Sequence, residues 1–292
     1  YAPLLHPVVG WLERNRWTPR RAAWLNARLA TSSSLPTISI VMPVYRPDLG
    51  WLDRALETVR AQVHEQWELC IADDASGDAS LTRHLAALAA GDRRIKFAAR
   101  AENGNISRAT NSAAELATGD FLLFLDQDDE LAPDALGEIA LALAADPTAD
   151  LLYTDDDKVG VDGSRYAPQF KPDWSPELLL SYMYLSHALV VRRSLFAELG
   201  GFRVGFEGSQ DYDFALRATE RARNVAHVPL VLYHWRATPG STATSGAAKP
   251  ASFAVGQLAV DDALLRRGSR GRAVHPEWAA RGGLGIFSHE FP

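Results

Sequence analysis

The segment Phe121-Leu122-Leu123-Phe124-Leu125-Asp126-Gln127-Asp128-Asp129 passes without a break from an apolar run to three carboxylates. A run of this length, entered through Gly119-Asp120, reads as a strand buried on both faces, and such strands belong to parallel α/β sheets. In those sheets ligands bind beyond the carboxyl ends of the strands. Asp126 and Asp128, two residues apart at a strand end, can turn their oxygens toward one hard divalent cation that shares its shell with substrate phosphates. A competing reading is that these acids only cap the helix beginning near Pro133, for which Asp129 or Asp134 alone would do.

The rest of the chain supplies the sheet. Apolar segments at 38–42, 69–72, 95–97 and 121–125 read as strands, separated by helical patterns that include Leu52, Leu56, Val59 and Val63, then 80–88 with Ser80 as cap, then 107–116. Strand and helix go on alternating, with a helix at 133–145, strands at 151–153, 189–191 and 228–235, and helices at 211–219 and 250–267. This order predicts an α/β fold, a mostly parallel Rossmann-like sheet flanked by helices with right-handed crossovers. Two further strands also end on acids, one on Asp73-Asp74 and one on Asp155-Asp156-Asp157. A parallel sheet gathers all three clusters on one rim, where bare carboxylates repel unless a cation or ligand donors lie between them. The expected ligand is therefore a metal-bound diphosphate. Asn103-Gly104-Asn105-Ile106-Ser107-Arg108 precedes a helix whose free N–H groups and Arg108 could face phosphate oxygens, although such a turn is more often only a turn. Asp211, in the first turn of its helix, is a candidate general base, and His234 at the end of the last strand is a candidate metal ligand.

Composition narrows the class. A chain of 292 residues with 47% hydrophobic and 23% charged residues can bury a large core, and no segment has the about 20 apolar residues a membrane span needs. Cys70, between Leu69 and Ile71, excludes an intramolecular disulfide and is expected to be a buried, inert thiol in a reducing, cytoplasmic setting. The net charge of -6 is unevenly spread: residues 1–30 hold Arg14, Arg16, Arg20, Arg21 and Arg28 against Glu13, together with Trp11, Trp17 and Trp24. That mixture can rest on anionic lipid or a neighbouring domain, or form a short helical pair packed on the body, since Pro19 breaks any long helix. The acidic remainder argues against nucleic acid as a partner. Three parts are expected: a basic helical extension and linker at 1–36, the main domain at 37–245, and a helix and linker-like tail at 246–292.

The motifs Ile38-Ser39-Ile40-Val41-Met42-Pro43-Val44-Tyr45, Asp73-Asp74-Ala75-Ser76, Asn103-Gly104-Asn105-Ile106, Leu125-Asp126-Gln127-Asp128-Asp129, Tyr153-Thr154-Asp155-Asp156-Asp157-Lys158, Phe170-Lys171-Pro172-Asp173-Trp174-Ser175-Pro176 and Gly208-Ser209-Gln210-Asp211 occur in that order. Together they resemble the family 2 glycosyltransferases of the GT-A fold, especially the rhamnosyltransferase-like bacterial enzymes of O-antigen and surface-polysaccharide assembly. The resemblance covers about residues 37–245. It implies that Pro43, Val44, Tyr45, Asp73 and Asp74 hold the donor nucleotide, with Asn105, Arg108, Asp126 and Gln127 on the same side. It implies that Asp126 and Asp128 bind Mg²⁺ or Mn²⁺, with His234, before a Gly240-Ser241-Thr242 turn, reaching the metal or diphosphate. Asp211 matches the base that activates the acceptor hydroxyl. Asp155, Asp156, Trp174, His187 and Gln210 are expected on the acceptor side, Gln210 standing where many relatives carry glutamate. The implied reaction is an inverting single displacement from a nucleotide-diphosphate sugar, a UDP-sugar or dTDP-rhamnose, to a saccharide or lipid-linked saccharide. Two other classes compete: a saccharide-binding or assembly module of a larger tandem protein, and a nucleotidyltransferase. Against the latter, no Gly-rich loop with basic residues lies near the first strand.

Overall fold

The computed structural model describes residues 5–238 and 250–292. Eleven helices and eleven strands are found among them, in the order α1 (Leu5–Arg14), α2 (Pro19–Thr31), β1 (Ile38–Val44), α3 (Leu49–Arg60), β2 (Trp67–Asp73), α4 (Ala79–Gly91), β3 (Ile95–Ala99), α5 (Asn105–Glu115), β4 (Phe121–Phe124), β5 (Glu130–Leu131) and α6 (Ala135–Ala145). They continue as β6 (Ala149–Val159), β7 (Arg165–Gln169), α7 (Pro176–Ser181), β8 (Leu189–Arg192), α8 (Arg193–Glu198), α9 (Gln210–Thr219), β9 (Asn224–Arg236), α10 (Pro250–Arg266), β10 (Arg272–Val274), α11 (Glu277–Arg281) and β11 (Ser288–Glu290). The expected Gly240-Ser241-Thr242 turn and the boundary at 245 lie outside the described residues.

One nine-stranded sheet runs β3-β2-β1-β4-β8-β6-β9-β5, with β7 added to β6. The parallel pairing expected from the sequence holds through β3-β2-β1-β4. Beyond β4 the sheet is mixed, because the short β8 runs antiparallel to both β4 and β6. Two reversals restore direction, so β6 points the same way as β4. Alternation along β1 sends Ile38, Ile40, Met42 and Val44 to the core beneath α3 and α6, and Val41 to the core on the opposite face. Cys70 is buried in that second core, where burial pushes its thiol up to about 12, consistent with an inert residue.

The parallel half is tied together at its amino ends by Glu68 of β2. Its carboxylate accepts bonds from Ser39 Oγ at 2.6 Å, Thr118 N at 2.5 Å, Thr118 Oγ1 at 2.8 Å and Gly119 N at 3.1 Å, and pairs with Lys96 Nζ at 2.7 Å. Gly119 allows that approach, since a Cβ there would sit 2.6 Å from Ser39 Oγ and 2.8 Å from the Thr37 carbonyl. Burial raises the Glu68 pKa, but Lys96 and the hydroxyl and amide donors outweigh it and bring it from 4.5 down to about 2. A depressed carboxylate stabilises the fold above its unfolded pKa and loses that contribution as pH falls toward the folded value. Wild-type stability is therefore expected to drop between about pH 4.5 and pH 2. Glu68→Gln should cost about 2 kcal/mol at neutral pH and flatten that acid limb, as read from urea midpoints against pH. An unchanged limb would remove Glu68 as its cause.

Several local expectations change. Asp78, not Ser80, caps α4: its carboxylate accepts from Ser80 N at 2.7 Å and Leu81 N at 3.4 Å. Neither Asp129 nor Asp134 makes a side-chain cap for α6. The N-terminal pair packs on the body, as one of the two sequence readings had it. Leu25 is fully buried against Gly137, Arg21 pairs with Asp134 at 2.9 Å, and Arg28 with Glu138 at 3.0 Å. The tail after Gly268 is not linker-like. β10 and β11 pair antiparallel, Phe287 is buried, and its N–H donates to Ser181 O at 2.8 Å. The apolar spacing of that stretch is too short to show a strand or helix from sequence, so only its packing reveals it.

Candidate active site

A cavity of about 280 Å³ opens at the carboxyl ends of β1, β2 and β4, walled by Pro43, Val44 and Tyr45, Asp74, the 103–106 turn with Ala109, and Asp126, Gln127 and Asp128. Its position follows from the topology, since parallel strands deliver the loops after them to one rim. Each wall is held by bonds the sequence did not show. The Gln127 amide accepts from Tyr45 N at 2.8 Å and donates to Tyr45 O at 3.2 Å, clipping the acidic loop to the β1 loop. Asp74 accepts from Gly104 N at 2.9 Å and from Arg100 Nε at 2.8 Å, which fixes the turn at the head of α5. Asn105 there has φ of 60°, a conformation asparagine tolerates better than most side chains.

Two donor-side expectations shift. Asp73 is buried and its carboxylate bonds Ser76, accepting from Ser76 N at 3.2 Å, so it shapes the 73–76 turn and does not line the cavity. Arg108 is exposed on α5, outside the cavity lining. Its side chain crowds Gly104, where a Cβ would sit 2.7 Å from Arg108 Cδ.

The residues expected to bind a metal also rearrange. Ligand atoms of Asp126, Asp129 and His187 lie within 4.8 Å of one another. His234, expected to reach the metal, instead sets Nδ1 2.6 Å from Asp157 Oδ1, because its place on β9 beside β6 turns it toward that buried acid. His187 takes the place near the carboxylates, stacked on the Tyr233 ring with centroids 4.6 Å apart. Burial, helped by the nearby Lys171 charge, lowers its pKa to about 3, so the imidazole is neutral at physiological pH, the form that ligates metals. Asp129 is buried, receiving Tyr233 OH at 2.5 Å and Arg236 N at 2.7 Å. Burial first, then the Asp126 and Asp128 charges, raise its pKa well above the usual range. A cation would relieve that repulsion, and two carboxylates with a neutral imidazole suit Mn²⁺ or Mg²⁺. Asp128 lines the cavity itself. The signal for Asp129 lay in its adjacency to Asp126-Gln127-Asp128; nothing local marks His187 as its neighbour, 58 residues further on.

The remaining acceptor-side residues do not form one patch with the cavity. Asp155 accepts from Lys171 N at 3.0 Å and contacts His227 Nε2 at 2.9 Å, and it lines a different cavity. Asp156 is buried in an ion pair with Lys171 at 2.7 Å. Trp174 packs against the second core, and Gln210 Oε1 accepts from Gly208 N at 2.8 Å. Sequence adjacency implied a shared acidic rim, but β6 continues through Asp155–Asp157, so alternation and β9 pairing bury these acids. Asp211 is partly buried at the head of α9, accepting from Tyr212 N at 2.9 Å, with its pKa raised by burial. It does not line the cavity.

Residues 39–200, more than half of the chain, match the Glycosyl transferase family 2 profile. The chain belongs to glycosyltransferase family 2. This glycosyltransferase is 44% identical over 261 residues to the uncharacterized protein y4gI of Sinorhizobium fredii, and 39% identical over 258 residues to the O-antigen biosynthesis protein RfbC of Myxococcus xanthus. The alignments cover 89% and 88% of this chain but only 28% and 20% of those proteins. Among solved structures, S. aureus TarS in complex with UDP-GlcNAc superposes with a TM-score of 0.63 at 20% identity, covering 78% of this glycosyltransferase and 66% of that chain. The mannosyltransferase PcManGT from Pyrobaculum calidifontis, in complex with GDP-Man and Mn²⁺, gives 0.58 at 17% identity, covering 84% and 70%. At those identities the likeness establishes the GT-A fold. Among the described residues no helix is long and apolar enough to cross a membrane.

Proposed function

We propose that this glycosyltransferase moves a sugar from a nucleotide-diphosphate donor to a saccharide hydroxyl, with inversion and with a divalent cation, in bacterial surface-polysaccharide synthesis. The observation that carries this reading is the convergence of Asp126 and Asp128 with Tyr45 and Asp74 on one cavity. Tyr45, 41% exposed at the mouth, offers a ring face to a nucleobase, while Asp74, Asn103 and Asn105 offer polar groups to the ribose and phosphates. Asp126 and Asp128, with Asp129 and His187 behind them, would hold Mn²⁺ or Mg²⁺. Bound there, the cation would supply charge neutralisation for the departing nucleoside diphosphate. Asp211, its pKa raised by burial, takes the proton from the acceptor hydroxyl; that oxygen bonds to the anomeric carbon as the carbon–diphosphate oxygen bond breaks. No covalent sugar–enzyme intermediate forms. A UDP-sugar or dTDP-rhamnose is the proposed donor, and a saccharide or lipid-linked saccharide the acceptor, in keeping with the O-antigen role in the name of one relative.

Calorimetric titration with UDP, GDP, dTDP and their sugar conjugates, with Mn²⁺ or Mg²⁺ and again with EDTA, tests the donor half. One nucleotide series is expected to bind, only with metal, and Asp128→Ala should weaken it at least about 100-fold, the upper end of what losing an outer partner of a metal costs. Metal-independent binding of equal strength in Asp128→Ala would remove the cation from the site. No binding of any nucleotide would favour a non-catalytic module within a longer protein.

A further inference from the structure

A second cavity, of about 270 Å³, lies between the N-terminal helical pair and the body. It shares no lining residue with the donor cavity. One side is aromatic: Trp11 of α1, Trp17 in the turn before α2, and Phe170 after β7, with the Trp11 and Phe170 rings edge to face at 5.0 Å. The lining also holds two buried carboxylates, Asp155 on β6 and Asp134 ahead of α6, only 2% and 4% exposed. Lys171 N and His227 Nε2 both contact Asp155 Oδ1, at 3.0 Å and 2.9 Å.

The cations of the lining decide the ligand's charge. Arg21 pairs with Asp134 at 2.9 Å, Arg165 with Asp157 at 2.7 Å and Lys171 with Asp156 at 2.7 Å. Each positive charge is already matched, so the cavity has no excess to recruit a phosphate or an acidic sugar. Buried carboxylate oxygens accept from hydroxyls, and aromatic faces pack on the apolar C–H face of a pyranose. A pocket of a few hundred Å³ that combines aromatic rings with polar and charged side chains suits a small ligand. We propose that this cavity is a second saccharide site, which takes one neutral pyranose unit between Trp17 and Asp155, apart from the donor cavity. It depends on the N-terminal helices, and it stands on its own geometry whatever the donor proves to be.

The test titrates the whole chain with methyl glucoside, methyl mannoside, methyl rhamnoside and N-acetylglucosamine at millimolar levels. Tryptophan fluorescence and calorimetry are the readouts. A saturable change is expected with at least one sugar, weakened tenfold or more in Trp17→Ala and in Asp155→Asn, and unaffected by saturating nucleotide with metal. Thermal unfolding and retained nucleotide binding show that each variant is folded. Three results would overturn the site: no saturable binding of any of the four sugars, equal binding in both folded variants, or displacement of the sugar by nucleotide. Binding of inorganic phosphate in place of sugar would overturn the neutral class. Each of these outcomes leaves the nucleotide titration unchanged, so the two readings fail separately.

Discussion

Asp211→Asn is expected to lower the transfer rate about 10²- to 10⁴-fold, or ~3 to 5 kcal/mol in the barrier, with nucleotide binding unchanged. The asparagine keeps the shape and can still accept from Tyr212 N, as Asp211 Oδ1 does at 2.9 Å, so α9 keeps its first turn. What it loses is the ability to take a proton. The raised pKa of Asp211 sharpens the test, because only the ionised carboxylate is a base. Wild-type turnover should fall as pH drops through that raised value, and this limb should be absent from the residual activity of Asp211→Asn. Steady-state rates against pH, set beside calorimetric nucleotide affinity, separate the two effects. Full turnover by folded Asp211→Asn would remove the residue from the chemistry. An equal loss of nucleotide binding would make it part of the donor site instead.

Two residues on, Asp213→Ala should unfold the chain far more easily, by about 3–5 kcal/mol, the cost of breaking a buried ion pair from one side. Asp213 is fully buried and receives Arg203 Nε at 3.0 Å and Arg217 Nε at 3.0 Å. Arg217 is itself 7% exposed and donates to Leu199 O at 3.1 Å and Gly201 O at 2.8 Å; Arg203 reaches on to Asp262 of α10 at 2.8 Å. Removing the carboxylate leaves the Arg217 charge buried against carbonyl oxygens alone, and loosens α9 from the 199–203 turn. Urea unfolding reads the loss directly. A change below about 1 kcal/mol would mean that both arginines rehydrate freely. Because Asp211 and Asp213 share one helix turn, the contrast between a folded inactive variant and an unfolded one distinguishes chemistry from support.

Much of the cavity rim was legible before folding. The run ending at Asp126 and Asp128, the β1 turn at Pro43–Tyr45 and the Asn105 turn each have a local signature, and the sheet brings them to one cavity. Family membership was legible for the same reason, since the order of those motifs is written along the chain. The acids of β6 misled because a strand that continues past an acidic triplet looks, residue by residue, like one that ends on it. Pairing with β9 over Ala149–Val159 decides the matter, and no local spacing encodes it. The choice between His187 and His234 is likewise a matter of which strand lies beside which. β9 turns His234 to Asp157 and places Tyr233 under the His187 ring.

The sequence by itself determined the alternation of strands and helices, the α/β class and the loops that line the cavity at the strand ends, because periodicity and strand-end chemistry are short-range properties. Only the tertiary structure decided the mixed second half of the sheet, the grouping of Asp129 and His187 with Asp126, the folded tail, and the cavity under the N-terminal helices. Those features depend on contacts between residues far apart in the chain, and burial there sets both the partner and the protonation of each side chain.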